Sequence, residues 1–177
     1  MLKNKKSREL DFEIDSLTNS IRNIISGDSF QTEVIRLLAI DLKTITKKNG
    51  WTFNWKAESK ENRKEVYKLT IVNNPHIIQG LISFTINGDH IYMDLLESAP
   101  FNRGKNKVYE GVAGNLVAYA CKVSFQKGFE GYVSFTSKTI LIEHYIKTLN
   151  AIPVGGQLMV INTLAANILV DKYFKDI

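Results

Sequence analysis

The residues best suited to chemistry form one stretch, Leu95-Leu96-Glu97-Ser98-Ala99-Pro100-Phe101-Asn102-Arg103-Gly104-Lys105, followed after a short gap by Gly111-Val112-Ala113-Gly114-Asn115-Leu116. In physical terms this is an apolar strand, a basic loop containing glycine, and a helix whose first turn is built from small residues. The start of a helix leaves main-chain N–H groups unpaired and carries partial positive charge, so it attracts anions. Glycine and alanine at that start let a phosphate approach the main chain. The chemistry implied is the holding of a phosphorylated ligand, and the same glycines would equally serve close helix packing.

Other chemistries fit the sequence poorly. The span from Gly104 to Gly111 lacks the Gly-Lys-Ser/Thr ending of a P-loop, and no Gly-x-Gly-x-x-Gly follows a strand. His76, His90 and His144 are scattered, with no Cys/His cluster at ligand spacing, so no metal site is expected. The lone Cys121 lies in an apolar helical stretch, Leu116 to Cys121, where a thiol packs as a small hydrophobe. One cysteine cannot close a disulfide within the chain, which agrees with a reducing compartment.

Those residues need a scaffold, and 177 residues suit a single domain able to bury a core without disulfides or metals. The hydrophobic share of 44% and charged share of 23% are those of an ordinary soluble globular chain. A net charge of +5 favours acidic ligands, nucleotides or nucleic acid without naming one. Part of the excess sits in Lys3, Lys5, Lys6 and Arg8, read as a mobile basic tail over residues 1–9. No secretory signal pattern and no apolar run near the roughly 18 residues of a membrane span are present, so no membrane association is expected and the cytoplasm is the default location.

Along the chain, Leu10, Phe12 and Ile14 alternate with polar residues as a short strand would. Leu17, Ile21, Ile24 and Ile25 recur at helical spacing after a cap at Asp15 or Ser16, and Gly27 stops the run. A second helix is predicted from Thr32, with Val34, Leu37, Leu38, Leu42 and Ile45 on one face and Lys47-Lys48-Asn49-Gly50 at its end. Residues 10–50 are therefore read as N-terminal helices and 51–100 as antiparallel strands. The strands are Trp51 to Trp55, Val66 to Val72, Ile77 to Ile86, and His90 to Glu97 after the hairpin signal Asn87-Gly88. The remainder, 101–177, alternates: a helix from Val112 to Lys127 ended by Gly128, a strand from Tyr132 to Phe135, a helix from Thr139 to Leu149, a strand from Leu158 to Ile161, and a helix from Thr163 to Phe174 capped by Thr163. Strand, helix, strand, helix implies a parallel crossover.

On these residues the chain resembles the GNAT superfamily of acyltransferases. That family's signature is a strand running into a pattern like Val-x-Pro-x-x-Arg-Gly-x-Gly-x-Gly/Ala, whose loop and helix start hold the coenzyme A pyrophosphate. Ser98 to Lys105 looks like its first part and Gly111-Val112-Ala113 like its last, with five extra residues, Asn106 to Glu110, between them. A second family segment, like Leu-Tyr-Glu-Lys-x-Gly-Phe, is similar to Glu143-His144-Tyr145-Ile146-Lys147-Thr148-Leu149-Asn150-Ala151. The asparagine usual seven residues before its tyrosine is replaced here by Lys138. The resemblance covers roughly Ile82 to Ile161.

The resemblance implies an α/β mixed fold: a central, mostly antiparallel sheet with one parallel, splayed strand pair and flanking helices. It implies acetyl-CoA as co-substrate and a primary amine as acceptor. Leu96 and Ser98 would pair with the pantetheine arm, and Arg103, Gly104, Lys105, Gly111, Val112, Ala113, Gly114 and Asn115 would surround the pyrophosphate. Tyr145 falls on the tyrosine that protonates the departing thiolate, although a tyrosine on a half-buried helix is more often a core residue. Glu97, where the strand pair opens, is the first candidate for the base that deprotonates the amine, and Asp94 the second. Two other functions stay open: a non-catalytic coenzyme-binding or interaction domain, and a toxin-like acetyltransferase acting on aminoacyl-tRNA, for which nucleic acid would be a partner. A homodimer is compatible with all three.

Overall fold

Local signals set the second half of the chain. Asn87 pairs with His90 across a two-residue loop, the hairpin that Asn-Gly favours, and Gly128 follows the capping residue of the long helix that begins at Val112. The computed structural model describes residues 8–18 and 20–174. In chain order its strands are β1 (Ile21–Asn23), β2 (Ser29–Phe30), β3 (Thr32–Arg36), β4 (Lys64–Ile71), β5 (Asn74–Asn87), β6 (His90–Ser98), β7 (Tyr109–Glu110), β8 (Val133–Thr136), β9 (Ile152–Gly155) and β10 (Leu158–Ile161). Its α-helices are α1 (Trp55–Ser59), α2 (Val112–Gln126), α3 (Ile142–Leu149) and α4 (Thr163–Phe174).

Seven strands form the main sheet in the order β3-β4-β5-β6-β8-β10-β9, and β2-β1-β7 form a small second sheet. Every pairing between these strands is antiparallel except β6 with β8, which the crossover through α2 makes parallel. The mixed α/β architecture, mostly antiparallel with one parallel pair, is the one expected. That parallel pair holds only at Ile91 with Val133 and Tyr92 with Ser134. Beyond those residues β6 and β8 part, and the opening between them is the feature on which the site is built. The register of β6 on β5 also shifts between Ser83 and Phe84, leaving Asp94 as a bulge residue.

The first third departs from expectation. Among the described residues the helix expected from Asp15 or Ser16 to Gly27 does not form: residues 15–18 have no regular structure, and Ile21–Asn23 is β1, followed by a turn. Ile21 is fully buried there while Ile25 is 97% exposed, so the helical spacing of these isoleucines does not define one buried face. The helix expected from Thr32 is β3, paired with β4 from Thr32↔Ile71 to Arg36↔Tyr67, followed by short 3-10 turns at Ala39–Lys43 and Lys47–Asn49. β-branched Thr32, Val34 and Ile35 suit a strand better than a helix. Trp51 to Trp55 is not a strand: Asn54 accepts from Ala57 N at 3.0 Å and caps α1 at Trp55. The expected Leu10 to Ile14 strand makes a single bridge, Leu10 with Ser137.

Smaller differences follow the same logic. Asn162, not Thr163, accepts from Ala165 N at 3.0 Å and caps α4. The second crossover ends antiparallel, because an edge strand not foreseen, β9, turns the chain back before β10. Pro153 sits in that edge strand, where no ladder donor is required of it. Lys3, Lys5 and Lys6 of the basic tail lie outside the described residues. Among the described residues no helix is long and apolar enough to cross a membrane.

Candidate active site

The opening between β6 and β8 is walled by the C-terminal end of β6, the loop after it and the start of α2. A cavity of about 350 Å³ there is lined by Leu96, Glu97, Ser98, Arg103, Gly104, Lys107 and Ala113, together with Asp11, Phe12, Glu13 and Asp15 of the N-terminal segment. Ala99 N donates to Gln79 O at 2.9 Å on β5. By the alternation of an antiparallel ladder, Leu96 and Ser98 then turn their main-chain groups toward the opening.

The helix start is built as the sequence suggested, but it is covered. Gly111 takes φ 90°, a left-handed conformation suited to glycine, and forms the N-cap of α2. Its N–H ends on Asp15 Oδ1 at 3.1 Å, and Lys107 Nζ lies 2.9 Å from Asp15 Oδ2. A Cβ on Gly111 would collide with Thr18, and one on Gly114 with Tyr173 and Leu17. Both glycines serve the close approach of the chain's own residues, Thr18 and Ser20 at Gly111 and Leu17 and Tyr173 at Gly114. Asn115 donates Nδ2 to Thr32 Oγ1 at 2.7 Å, while its buried Oδ1 has no partner. Main-chain donors, small residues and the Lys107 ammonium are what a pyrophosphate requires, so these residues fit the coenzyme's anionic part once the covering segment is elsewhere.

Two expected residues are placed differently. Arg103 gives Nη1 to Thr52 Oγ1 at 2.9 Å and Nη2 to Gly50 O at 2.6 Å, and pairs with Glu97 at 3.3 Å, so its guanidinium ties two loops together. Lys105 is exposed and does not line the cavity; Lys107, inside the five-residue insertion, does. The insertion is not a free surface loop. Tyr109 and Glu110 form β7 against Asn23 and Arg22, and Asn102 Oδ1 accepts from Tyr109 N at 3.1 Å.

Glu97, the expected base, is a buried structural carboxylate. Oε2 accepts from Thr52 N at 2.7 Å, and Oε1 from Trp55 Nε1 at 2.8 Å and Phe53 N at 3.3 Å. With Arg103 added, its lone pairs are occupied and it has no free site for an acceptor's proton. Asp94 is better placed. Its carboxyl is pushed above the usual range by burial, against the opposing Thr85 hydrogen bond and Lys64 charge, with Thr85 Oγ1 2.6 Å from Oδ2. Beside it Glu58, a residue sequence reasoning missed, is buried and bonded to Lys64 and Arg8. No local signal marks Glu58: the strand expected over Trp51 to Trp55 ends where α1 begins, and no element is expected at residues 56–59.

Tyr145 is fully buried and packs on Phe12 and Phe135. Its hydroxyl donates to Phe12 O at 2.6 Å. Burial first, then the nearby Asp11 and Glu13 carboxylates, raise its pKa well above the usual tyrosine value, so it stays a proton donor at any ordinary pH.

No family model matches the chain, and no curated protein does. Solved structures do, at the level of fold. A mutant form of the spermidine/spermine N-acetyltransferase SpeG from Vibrio cholerae aligns with TM-score 0.57 and 14% identity, over 78% of this chain and 97% of that one. A mutant AtaT toxin, bound to the C-terminus of the antitoxin AtaR and acetyl-CoA, aligns with TM-score 0.54 and 14% identity, over 78% of this chain and 98% of its own. The ribosomal-protein alanine N-acetyltransferase from Escherichia coli gives TM-score 0.51 and 13% identity, over 75% of this chain and 95% of that one. The chain has the fold of the GNAT acetyltransferases.

Proposed function

We propose that the protein is an acetyl-CoA-dependent N-acetyltransferase whose acceptor is a cationic primary amine. The observation that carries this reading is the parting of β6 from β8 with the start of α2 at its mouth and the Tyr145 hydroxyl aimed into it. Gly111 to Asn115 and Lys107 hold the pyrophosphate, and Leu96 and Ser98 pair with the pantetheine arm. When bound, the coenzyme supplies an acetyl group activated as a thioester. Asp94 takes a proton from the acceptor's ammonium, the free amine bonds to the acetyl carbon, Tyr145 gives its proton to the sulfur as the C–S bond breaks, and the extra proton on the new amide nitrogen returns to the Tyr145 phenolate. The acceptor's charge is supported by the buried Glu58 carboxylate, which takes the Arg8 guanidinium at 3.3 Å, with the Asp94 main-chain oxygen 3.4 Å from the same group. A polyamine acceptor has its parallel in the SpeG structure.

The test is release of free thiol from acetyl-CoA by the wild type and by Arg8→Ala, with a panel of a polyamine, a lysine peptide and an aminoacyl-tRNA. Turnover with the polyamine or peptide is expected. Turnover with aminoacyl-tRNA alone would replace the acceptor assignment, and none with any amine would leave a coenzyme-binding protein without transfer activity.

A further inference from the structure

The N-terminal segment, residues 8–18, runs through the opening between β6 and β8 from one end to the other. Ser137 N is bonded to Gln157 O on the side of β10, so Thr136 O and Lys138 N face the opening, and both are taken by Leu10, at 2.7 and 3.0 Å. Lys138 Nζ reaches Asp11 Oδ2 at 2.6 Å. Two residues on, the Phe12 carbonyl accepts the Tyr145 hydroxyl, and Ile14 N donates to His144 Nε2 at 2.9 Å. The segment then delivers the Asp15 carboxylate to Gly111 N and Lys107, and Thr18 N to Tyr173 Oη at 3.1 Å. At its other end Arg8 reaches the Glu58 carboxylate and the Asp94 main-chain oxygen.

Each contact has the chemical sense of a substrate contact: an extended main chain added beside a strand, a carbonyl oxygen at the tyrosine hydroxyl, an anion at the helix start, a cation at the buried Glu58 carboxylate. We propose that residues 8–18 are an internal mimic of both substrates, a plug that must leave the opening before acetyl-CoA binds. The inference rests on the acetyl-CoA reading above. Leu10, Phe12 and Ile14 are buried, so the plug is also part of the core, and its withdrawal exposes apolar surface that the coenzyme arm then covers. The polar anchors at Arg8, Asp11 and Asp15 are partly solvated side chains that water can replace, which makes the exchange feasible.

Two variants test this by calorimetry with acetyl-CoA. In Arg8→Ala/Asp15→Ala the plug loses its terminal anchors, and affinity should rise about tenfold, because apparent affinity scales with the fraction of open molecules. In Leu10→Cys/Ser137→Cys, which joins residues already paired across the opening, the oxidised form should not bind and the reduced form of the same preparation should, so misfolding cannot imitate the result. Equal affinity in the oxidised and reduced forms overturns the plug while leaving acetyl-CoA binding intact. No binding by any form, the anchor variant included, overturns the acetyl-CoA reading and the mimicry with it.

Discussion

The Tyr145 hydroxyl donates to the main-chain oxygen of Phe12 at 2.6 Å across 133 residues of sequence. That bond joins the two ways of reading Tyr145. It is a core tyrosine whose donor is satisfied by Phe12 O, and the proposed reaction asks the same donor to protonate the departing sulfur. Which role dominates depends on whether residues 8–18 occupy the opening.

Tyr145→Phe should therefore separate three measurements. Turnover should fall about 10²- to 10⁴-fold, the range for loss of one acid–base group. Stability should fall by about 1–3 kcal/mol, because the buried Phe12 carbonyl loses its donor. Affinity for acetyl-CoA should rise rather than fall, since the plug loses an anchor; a lower affinity would mean that the hydroxyl binds the coenzyme instead of the segment.

Asp94 should give the proposed reaction its pH dependence. Its folded pKa is raised by burial, so the protonated form is favoured in the folded chain. Its contribution to stability is fully present below the unfolded carboxylate range and is lost as pH rises through the raised value. Asp94→Asn should flatten that acid-side slope in thermal melts recorded from pH 3 to 7 (about the range of carboxylate titration) and lower turnover about 10²-fold or more. A slope unchanged in Asp94→Asn would assign the titration to another group.

What the sequence disclosed about the fold was what neighbouring residues decide. The Asn87-Gly88 hairpin, the stop at Gly128 and the bounds of β10 and α4 are each written within a few positions. The first third is decided at long range: Arg22 and Asn23 become strand through Glu110 and Tyr109, and Leu10 is extended because Thr136 and Lys138 bind it. Until those partners are known, Leu17, Ile21, Ile24 and Ile25 carry a helical period that nothing local contradicts. The site divides in the same way. The anion-attracting start of α2 was legible because a helix N-terminus is local physics. The engagement of Glu97 was not, because its donors Thr52, Phe53 and Trp55 lie 45, 44 and 42 residues away.

Glu97 should behave as a structural anchor. In Glu97→Ala three donors around residues 52–55 lose their acceptor and Arg103 its carboxylate. The loss of stability should be about 2–4 kcal/mol, mostly from the buried Trp55 indole and the main-chain groups. The Arg103 pair adds little, since that guanidinium is 37% exposed. Chemical denaturation measures the loss, and a variant that melts like the wild type but does not turn over would restore Glu97 to the role of base.

Gly111 and Gly114 distinguish a surface shaped for the plug from one shaped for a phosphate alone. Gly111→Ala places a side chain at φ 90° and against Thr18, and Gly114→Ala places one against Leu17 and Tyr173 at ordinary helical geometry. Both should destabilise the folded chain by about 1–3 kcal/mol, Gly111→Ala by strain as well as crowding. They should also raise amide exchange in residues 10–18, because the crowding falls on that segment rather than on the sheet. For Gly114→Ala the consequence for acetyl-CoA is the more telling. If the close approach at this glycine belongs to Leu17 and Tyr173, pushing them away opens the cleft, and coenzyme affinity should be unchanged or higher despite the lower stability. If it belongs to the pyrophosphate, the added methyl group should weaken binding while leaving exchange in residues 10–18 as it is in the wild type. Exchange and calorimetry on the one variant decide between the two.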